Sequence, residues 1–189
     1  MYKLRQGKEV CIALAIVVNL FAVTVHAEEP YLSKPSLLDR GAEILLPFKR
    51  QLQQALKTGM ADGPVAAVNI CHLQAPVIAE SFNVKKINIG RSSHRLRNPA
   101  NAPAPWMSAI INNYLDTPEE RQPVTLRLEN GRIGYAEPIV TQAICLTCHG
   151  ADIAPAIKVQ LAELYPADRA TDFQVGELRG IFWAEFDTD

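Results

Sequence analysis

Residues 124–137 read Val-Thr-Leu-Arg-Leu-Glu-Asn-Gly-Arg-Ile-Gly-Tyr-Ala-Glu, and this stretch decides the fold class. Apolar and polar residues alternate on both sides of Asn130-Gly131, which is typical of two antiparallel strands joined by a two-residue type I′ turn. That register predicts two apolar pairs on one face of the hairpin: Leu128 with Ile133, and Leu126 with Tyr135. The second half of the chain is therefore predicted to form an antiparallel sheet.

Two further segments, residues 86–92 and 178–186, read as strands on either side of the hairpin in the sequence. The later segment is apolar on both faces around Ile181, Phe182 and Trp183, so we expect it to be a central strand. These patterns predict four strands in total.

The helical spacing of apolar residues predicts four helices. They cover residues 36–57, a segment that starts at Pro64, residues 106–115 and residues 156–164. Ser36 is a suitable N-cap for the first helix, and Pro47 is expected to kink that helix or divide it in two. Helices that precede and surround an antiparallel sheet indicate an α+β domain.

Shortly after the hairpin, residues 145–149 read Cys-Leu-Thr-Cys-His, a C-x-x-C-H element that is the signature of covalent c-type haem attachment. Each of the two thiols adds to one haem vinyl group, and the imidazole that follows is then held next to the iron as an axial ligand. The motif predicts one haem c, with Cys145 and Cys148 as tethers and His149 as the proximal iron ligand.

Other roles of a C-x-x-C pair fit this sequence less well. A zinc site needs about four ligands, and the sequence has no second C-x-x-C or H-x-x-x-H pair. A thioredoxin-like redox pair stands near a βαβ pattern, whereas this pair follows a hairpin. Spacing alone leaves a structural disulfide open, although the position of His149 would then be coincidental.

The first 27 residues have the pattern of a secretory signal peptide. Three basic residues precede an apolar run at residues 11–25, and Val25-His26-Ala27 offers a cleavage site. We expect cleavage after Ala27, which leaves a single domain at residues 28–189 in the periplasm, where haem c is fitted. The alternative is an uncleaved anchor, but the run is short for a span of about 20 residues, so no stable membrane anchor is expected.

Loss of that segment removes three basic residues and one acidic residue, so the formal net charge changes from -1 to -3. A mildly acidic protein lacks the basic surface that binding to nucleic acid or anionic lipid requires. We therefore expect neither as a partner.

Four stretches resemble a known family. They are Gly-Pro-Val-Ala-Ala-Val-Asn-Ile-Cys at 63–71, Arg-Asn-Pro-Ala-Asn-Ala-Pro at 97–103 followed by Trp106, residues 145–150, and Tyr-Pro-Ala-Asp at 165–168 running to Arg179-Gly180. In these stretches the chain resembles the bacterial PAS-like haem c domain family, which is found alone or as the periplasmic sensor region of histidine kinases and chemoreceptors. Two positions depart from the family pattern: Met107, where an acidic residue is usual, and Asp172-Phe173, where Gly-Tyr is usual.

The resemblance implies a five-stranded PAS-like sheet, with N-terminal helices packed around a covalently bound haem that lies against the sheet. It also implies that Cys71 supplies a thiolate opposite His149 as the second metal ligand. The residues alone place Cys71 on an apolar helix stripe, where a lone cysteine is more often a packed core residue. His72, Met107 and an open distal site remain alternatives, and one regular helix cannot point both Cys71 and His72 at the same iron.

Several further side chains are candidates for contact with the haem. Arg91, Arg95 and Arg97 precede a proline-rich loop, and a guanidinium fork suits a haem propionate, although a solvated loop is the plainer interpretation. We predict Arg95 and Arg97 as haem-binding residues. Trp106 and Tyr135 are candidates for the porphyrin face, and Tyr135 also fits a core position.

These observations predict a soluble periplasmic mono-haem c-type cytochrome that transfers one electron to or from a redox partner protein. The alternative is a haem-based redox or gas sensor, which we expect to act through a separate partner such as a sensor kinase because no signalling helix follows the last strand. Chemistry on peroxide or a nitrogen oxide needs an open distal position, and no distal acid or base stands out, so an enzyme is not predicted.

Overall fold

The structure, a computed structural model, describes residues 35–188. The predicted signal peptide at residues 1–27 lies outside these described residues. The elements of the described chain are α1 (Leu37–Ala61), α2 (Pro64–Phe82), β1 (Ile87–Ser92), α3 (Pro105–Asp116), β2 (Val124–Arg127), β3 (Ile133–Val140), α4 (Leu146–His149), α5 (Pro155–Leu164) and β4 (Leu178–Phe186). Short 3-10 turns lie at Pro99–Asn101, Pro118–Glu120 and Ala143–Cys145.

The four strands form one antiparallel sheet in the order β1-β4-β3-β2. The α+β class is therefore confirmed, and β4 is central, as its apolar residues on both faces predicted. The fifth strand that the resemblance implied is absent from residues 35–188, where the sheet has four strands. The segment between β1 and β2 contains five prolines, which cannot donate to a strand ladder, and it folds into α3 and short turns instead.

The hairpin turn is one residue longer than the type I′ turn predicted from Asn130-Gly131. The N–H of Gly131 donates to Leu128 O at 2.9 Å, and the N–H of Leu128 donates to Arg132 O at 2.9 Å. Gly131 has a φ of 82°, whereas Asn130 is not among the described residues with positive φ. A type I′ turn needs positive φ at both central residues, so that prediction was wrong.

The longer turn moves the strand register by one residue. Leu126 lies opposite Gly134, and Thr125 lies opposite Tyr135. The predicted pairing of Leu126 with Tyr135, and of Leu128 with Ile133, is therefore wrong. Because side chains alternate between the faces of a strand, Tyr135 lies on the face opposite to Leu126.

α1 is one continuous helix and not the kinked or divided helix predicted at Pro47. Ser36 is its N-cap, as predicted, and forms a capping box with Asp39. A proline inside a helix costs about 3 kcal/mol, whereas burial of one large apolar side chain contributes about 1.5–3 kcal/mol. Leu45 and Phe48, which flank Pro47, are 0% and 1% exposed, so their packing on the sheet offsets the proline.

Helices cover both faces of the sheet. α1 and the C-terminal half of α2 pack on one face, in a core that includes Leu45, Phe48, Ile133, Tyr135 and Phe186. α3 packs on the other face, in a core that includes Met107, Ile111, Tyr114, Ala136 and Ile181. Residues that face α3 are thus separated by the sheet from residues that face α1 and α2.

α2 also contacts α5 through a third apolar cluster. Val68 packs there with Ile157 and Leu161 of α5, and Cys148 lies against the cluster. By length and composition alone α2 would also suffice to cross a membrane, a test that the core helix of a soluble protein passes too. Its outer residues Leu73 and Val77 are exposed, so one side of α2 is packed and the other is open.

Gly41→Ala is predicted to destabilise the protein, although alanine is a better helix former than glycine by about 1 kcal/mol. A Cβ at Gly41 would lie 2.3 Å from Cγ and Cδ2 of the buried Tyr135, so α1 would have to move away from the sheet. Overpacking of this kind costs about 1–3 kcal/mol, and urea unfolding measures it. Gln51→Ala, at an exposed position of α1, is the control and should change stability by less than about 0.5 kcal/mol. Equal stability of Gly41→Ala and the unchanged protein would contradict this packing.

Candidate functional site

The C-x-x-C-H segment occupies a tight turn between β3 and α5. The 3-10 turn at Ala143–Cys145 continues directly into α4, which ends at His149. The three-residue spacing places Cys145 and Cys148 on the same side of this turn. Gly150 closes it by donating its N–H to Leu146 O at 3.0 Å, and a Cβ at Gly150 would lie only 2.8 Å from that oxygen. Local geometry therefore presents both sulfurs together.

The cysteines of the described chain are free thiols. Cys71, Cys145 and Cys148 are each half-buried, and none of them forms a disulfide. The structural disulfide that the spacing had left open is thus not formed between Cys145 and Cys148. Both sulfurs are available for bond formation.

His149 is oriented by a hydrogen bond from its ring to the backbone. Its Nδ1 lies 2.7 Å from Ala170 O, and a carbonyl oxygen only accepts, so Nδ1 carries the proton and donates. Burial lowers the pKa of His149 to about 2, and the charges of Arg179 and Arg97 act in the same direction. The imidazole is therefore neutral, with the lone pair of Nε2 left for a metal.

The loop at residues 170–173 holds the end of the C-x-x-C-H turn. The N–H of Phe173 donates to His149 O at 2.9 Å, and the N–H of Asp172 donates to Gly150 O at 3.2 Å. Asp172 has a φ of 61°, a left-handed conformation that favours glycine, which the family usually has at this position. The ring of Phe173 lies edge-on to that of His149, with 6.2 Å between centroids.

Arg97 ties this loop to the C-x-x-C-H turn. Its Nε pairs with Asp168 Oδ2 at 2.9 Å, and its Nη2 donates to Cys148 O and Ala170 O. Asp168 also accepts from the N–H of Ala170 through Oδ1 at 2.8 Å. Both side chains of the ion pair are largely buried, at 14% and 10% exposure. Arg97 thus supports the same carbonyl that orients His149.

Arg95 braces the other side of the loop. It pairs with Glu177 at 3.1 Å, donates to Thr171 O at 2.9 Å, and lies 3.6 Å above the ring of Phe173. The structure therefore places both Arg95 and Arg97 beside the candidate site, but each already has a carboxylate partner.

Cys71 lies on the side of α2 that faces the C-x-x-C-H turn. Burial raises the pKa of its thiol, while the charges of Arg91 and Arg97 lower it. Cys71 in turn contributes to raising the pKa of Cys148, so the two sulfurs lie within electrostatic reach of each other. α2 continues through Pro76, and the structure brings Cys71 to the same site as Cys148 and His149.

The two alternative distal ligands, His72 and Met107, contact other side chains. The ring of His72 makes an edge contact with Tyr165, with centroids 5.0 Å apart. Met107 is 4% exposed and packs in the core between α3 and the sheet. Since that core lies across the sheet from α2, the structure does not bring Met107 to the C-x-x-C-H turn.

Trp106 and Tyr135 are not brought to this site either. The Nε1 of Trp106 donates to Glu185 at 3.0 Å, and its ring lies edge-on to Trp183 on the α3 face of the sheet. Tyr135 is buried under α1 and donates its hydroxyl to Glu137 at 2.9 Å. The two side chains that were predicted to contact the haem therefore have other partners in the structure: Glu185 and Trp183 for Trp106, and Glu137 and the core under α1 for Tyr135.

Sequence reasoning missed three residues that the structure places here. Phe173, Tyr165 and Arg179 surround the C-x-x-C-H turn, as the ring contacts and the charge effects on His149 and Cys71 indicate. Their signal was present, because Tyr165 and Arg179 belong to stretches that carry the family resemblance. Their role at the site could not be predicted because they are far from residues 145–149 in the sequence. They come close to the site only when the loop before β4 folds.

One surface cleft lies away from this site. It has a volume of about 260 Å³ and lies between α1, α2 and β1, where Ile44, Pro47, Phe82 and Ile87 line it. None of the predicted site residues contributes to it. Within residues 35–188, no group of three or more His, Cys, Asp or Glu side chains is placed to hold a metal ion.

Comparisons with known proteins agree with this architecture. A family model described as Tll0287-like matches residues 20–186. Among solved structures, the chain is similar to the crystal structure of the cyanobacterial heme-protein Tll0287, with 25% identity and a TM-score of 0.55. That match covers 77% of this chain and 93% of the other. No curated protein matches the chain.

Proposed function

The chain belongs to the Tll0287-like family, which confirms the resemblance found in its sequence, and on this premise we propose that it is a haem protein with one covalently attached haem c. The observation that carries the proposal is the hydrogen bond from His149 Nδ1 to Ala170 O. It leaves Nε2 as the free ring nitrogen, next to a turn that also carries two free thiols. The family neighbour Tll0287 is itself named a heme-protein.

Cys145 and Cys148 are the proposed tethers. Each S–H would add across one haem vinyl group: a C–S bond would form and the hydrogen would go to the other vinyl carbon, so no oxidant would be needed. The 3-10 turn at Ala143–Cys145 and α4 together hold the two sulfurs and the imidazole within five consecutive residues, which fits a planar group attached at two points. When bound, the haem supplies a metal that changes charge by one electron.

Cys71 is the proposed distal ligand. It lies on α2, whereas Cys148 and His149 lie on α4 and Cys145 ends the 3-10 turn that precedes α4. A thiolate neutralises charge on ferric iron and therefore lowers the reduction potential. His72, the neighbouring residue on α2, instead makes an edge contact with the ring of Tyr165.

We propose one-electron transfer in the periplasm as the function, after export through the signal peptide. His149 and Cys71 would hold the iron from two sides, which would suit an electron carrier whose iron keeps both protein ligands. The alternative is a redox or gas sensor acting through a separate partner. One observation favours it: Cys71 lies on α2, which packs on both α1 and α5, so a shift of α2 on ligand loss would be passed to these two helices.

Covalent haem attachment is the first expected outcome. The full chain, produced in a bacterial host with cytochrome c maturation, should gain the mass of one haem. It should also keep its haem band after denaturation and acid-acetone extraction. Cys145→Ala combined with Cys148→Ala should lose that band, whereas Cys71→Ala should keep it, since Cys71 is not a tether. Release of free haem from the unchanged protein would reject the proposal.

Replacement of Cys71 by alanine should change the ferric absorption and EPR spectra, because the iron loses its thiolate. The reduction potential should rise by about 59 mV or more, a tenfold change in the one-electron equilibrium constant. His72→Ala, one position along the same helix, is the matched control and should leave both spectra unchanged. If His72→Ala changes the spectra and Cys71→Ala does not, the distal ligand is His72.

Carbon monoxide distinguishes the carrier from the sensor. A carrier with two strong axial ligands should resist carbon monoxide in the reduced state, so its absorption spectrum should not change on titration. The Cys71→Ala variant, with one axial position vacated, should bind the gas and serves as the positive control. Ready binding by the unchanged protein would reject a closed six-coordinate carrier and favour sensing.

A further inference from the structure

Arg179 lies on a β-bulge that removes it from the regular pattern of β4. Ile139 pairs with Gly180 and Val140 pairs with Leu178, so Arg179 has no partner on β3. A bulge of this kind redirects one side chain. The Nη1 of Arg179 donates to Ser93 Oγ at 3.2 Å and to Arg95 O at 3.4 Å, and both of these acceptors are neutral.

Arg91 lies on β1 and points to the same side of the sheet as Ile89, which packs in the core under α1. Within residues 35–188 its guanidinium has neither a carboxylate partner nor a hydrogen-bond acceptor. Thr141 Oγ1 is the one fully enclosed and unpaired side-chain polar atom of the described chain. The nitrogens of Arg91 are also unpaired but are not fully enclosed, so they border space that another group can enter. The charges of Cys71 and Tyr165 act on Arg91, so both residues lie nearby.

The positive charges around the site outnumber the negative ones. Arg95 is neutralised by Glu177, and Arg97 is neutralised by Asp168. Arg91 and Arg179 remain without a carboxylate. Burial lowers the pKa of Arg179 to about 9, and the charges of Arg97 and Arg91 contribute to that decrease. Two partly buried cations without counter-charges are costly, so the site is built to receive two negative charges.

We propose that Arg91 and Arg179 bind the two propionates of the haem. This inference rests on the proposed function, since it assumes that the haem is bound at Cys145 and Cys148. A haem carries two carboxylates, and Arg91 and Arg179 are two guanidinium groups at the described site without a carboxylate. The sequence analysis predicted Arg95 and Arg97 as haem-binding residues. In the structure each of them pairs with a carboxylate and holds the loop around His149.

The test uses the holoprotein with Arg91→Gln, Arg179→Gln and the double substitution. Loss of a cation beside a propionate favours ferric iron, so the reduction potential should fall in each single variant. The double variant should show about a tenfold change in the one-electron equilibrium constant, which corresponds to about 59 mV. The resonance Raman bending modes of the propionates should shift in the same variants, because these modes respond to hydrogen bonding.

Arg127→Gln is the matched control, because Arg127 is exposed on β2 and its loss changes the net charge equally. It should move neither the potential nor the propionate modes. Arg95→Gln should also leave the propionate modes in place. Arg91→Lys and Arg179→Lys preserve the charge; they should restore most of the potential, and they replace the glutamine variants if those fail to fold.

The outcomes separate this inference from the proposed function. Covalent haem retention, measured for every variant, reports on attachment alone. If the haem is retained but Arg91→Gln and Arg179→Gln match Arg127→Gln in potential and in propionate modes, the inference is overturned and the proposed function stands. The same follows if only Arg95→Gln shifts these modes. Absence of covalent haem from the unchanged protein overturns the proposed function itself.

Discussion

The buried ion pair between Arg97 and Asp168 is the interaction on which the site depends. Asp168 accepts from the N–H of Ala170, and the carbonyl of Ala170 accepts from His149 Nδ1. Arg97 also donates to Cys148 O, so one side chain links the C-terminal end of the C-x-x-C-H turn to the loop that holds Ala170. Removal of one partner from a buried pair costs about 3–5 kcal/mol, far more than an exposed pair would contribute. The orientation of His149 is thus maintained by contacts some twenty residues away.

The packing of α2 explains how a third sulfur, that of Cys71, comes close to this turn. Its C-terminal half covers the sheet together with α1, and its N-terminal half meets α5 through Val68. Cys71 lies between these two contacts, and the helix continues through Pro76 because both ends are held. A helix fixed at two places keeps one residue between them at a constant depth, which a metal ligand requires.

Much of the fold could be predicted from the sequence, because strand and helix periods are local properties. The four strands, the central position of β4 and the start of α1 at Ser36 all followed from alternation, apolar runs and capping residues. The hairpin register did not follow, since Asn130-Gly131 suits two turn types that differ by one residue. The continuity of α1 through Pro47 could not be predicted from the sequence either. The burial of Leu45 and Phe48 outweighs the local free-energy cost of a proline inside a helix.

The sequence by itself determined the chemistry on offer: two thiols and an imidazole within residues 145–149, and a family pattern that includes Cys71. Such groups are identified by residue type and spacing, which need no third dimension. Only the tertiary structure decided their surroundings, including the tautomer of His149, the separation of Met107 and Trp106 from the site by the sheet, and the division of the arginines into paired and unpaired. Hydrogen bonds and ion pairs between residues far apart in sequence set these features, and such contacts exist only once the chain has folded.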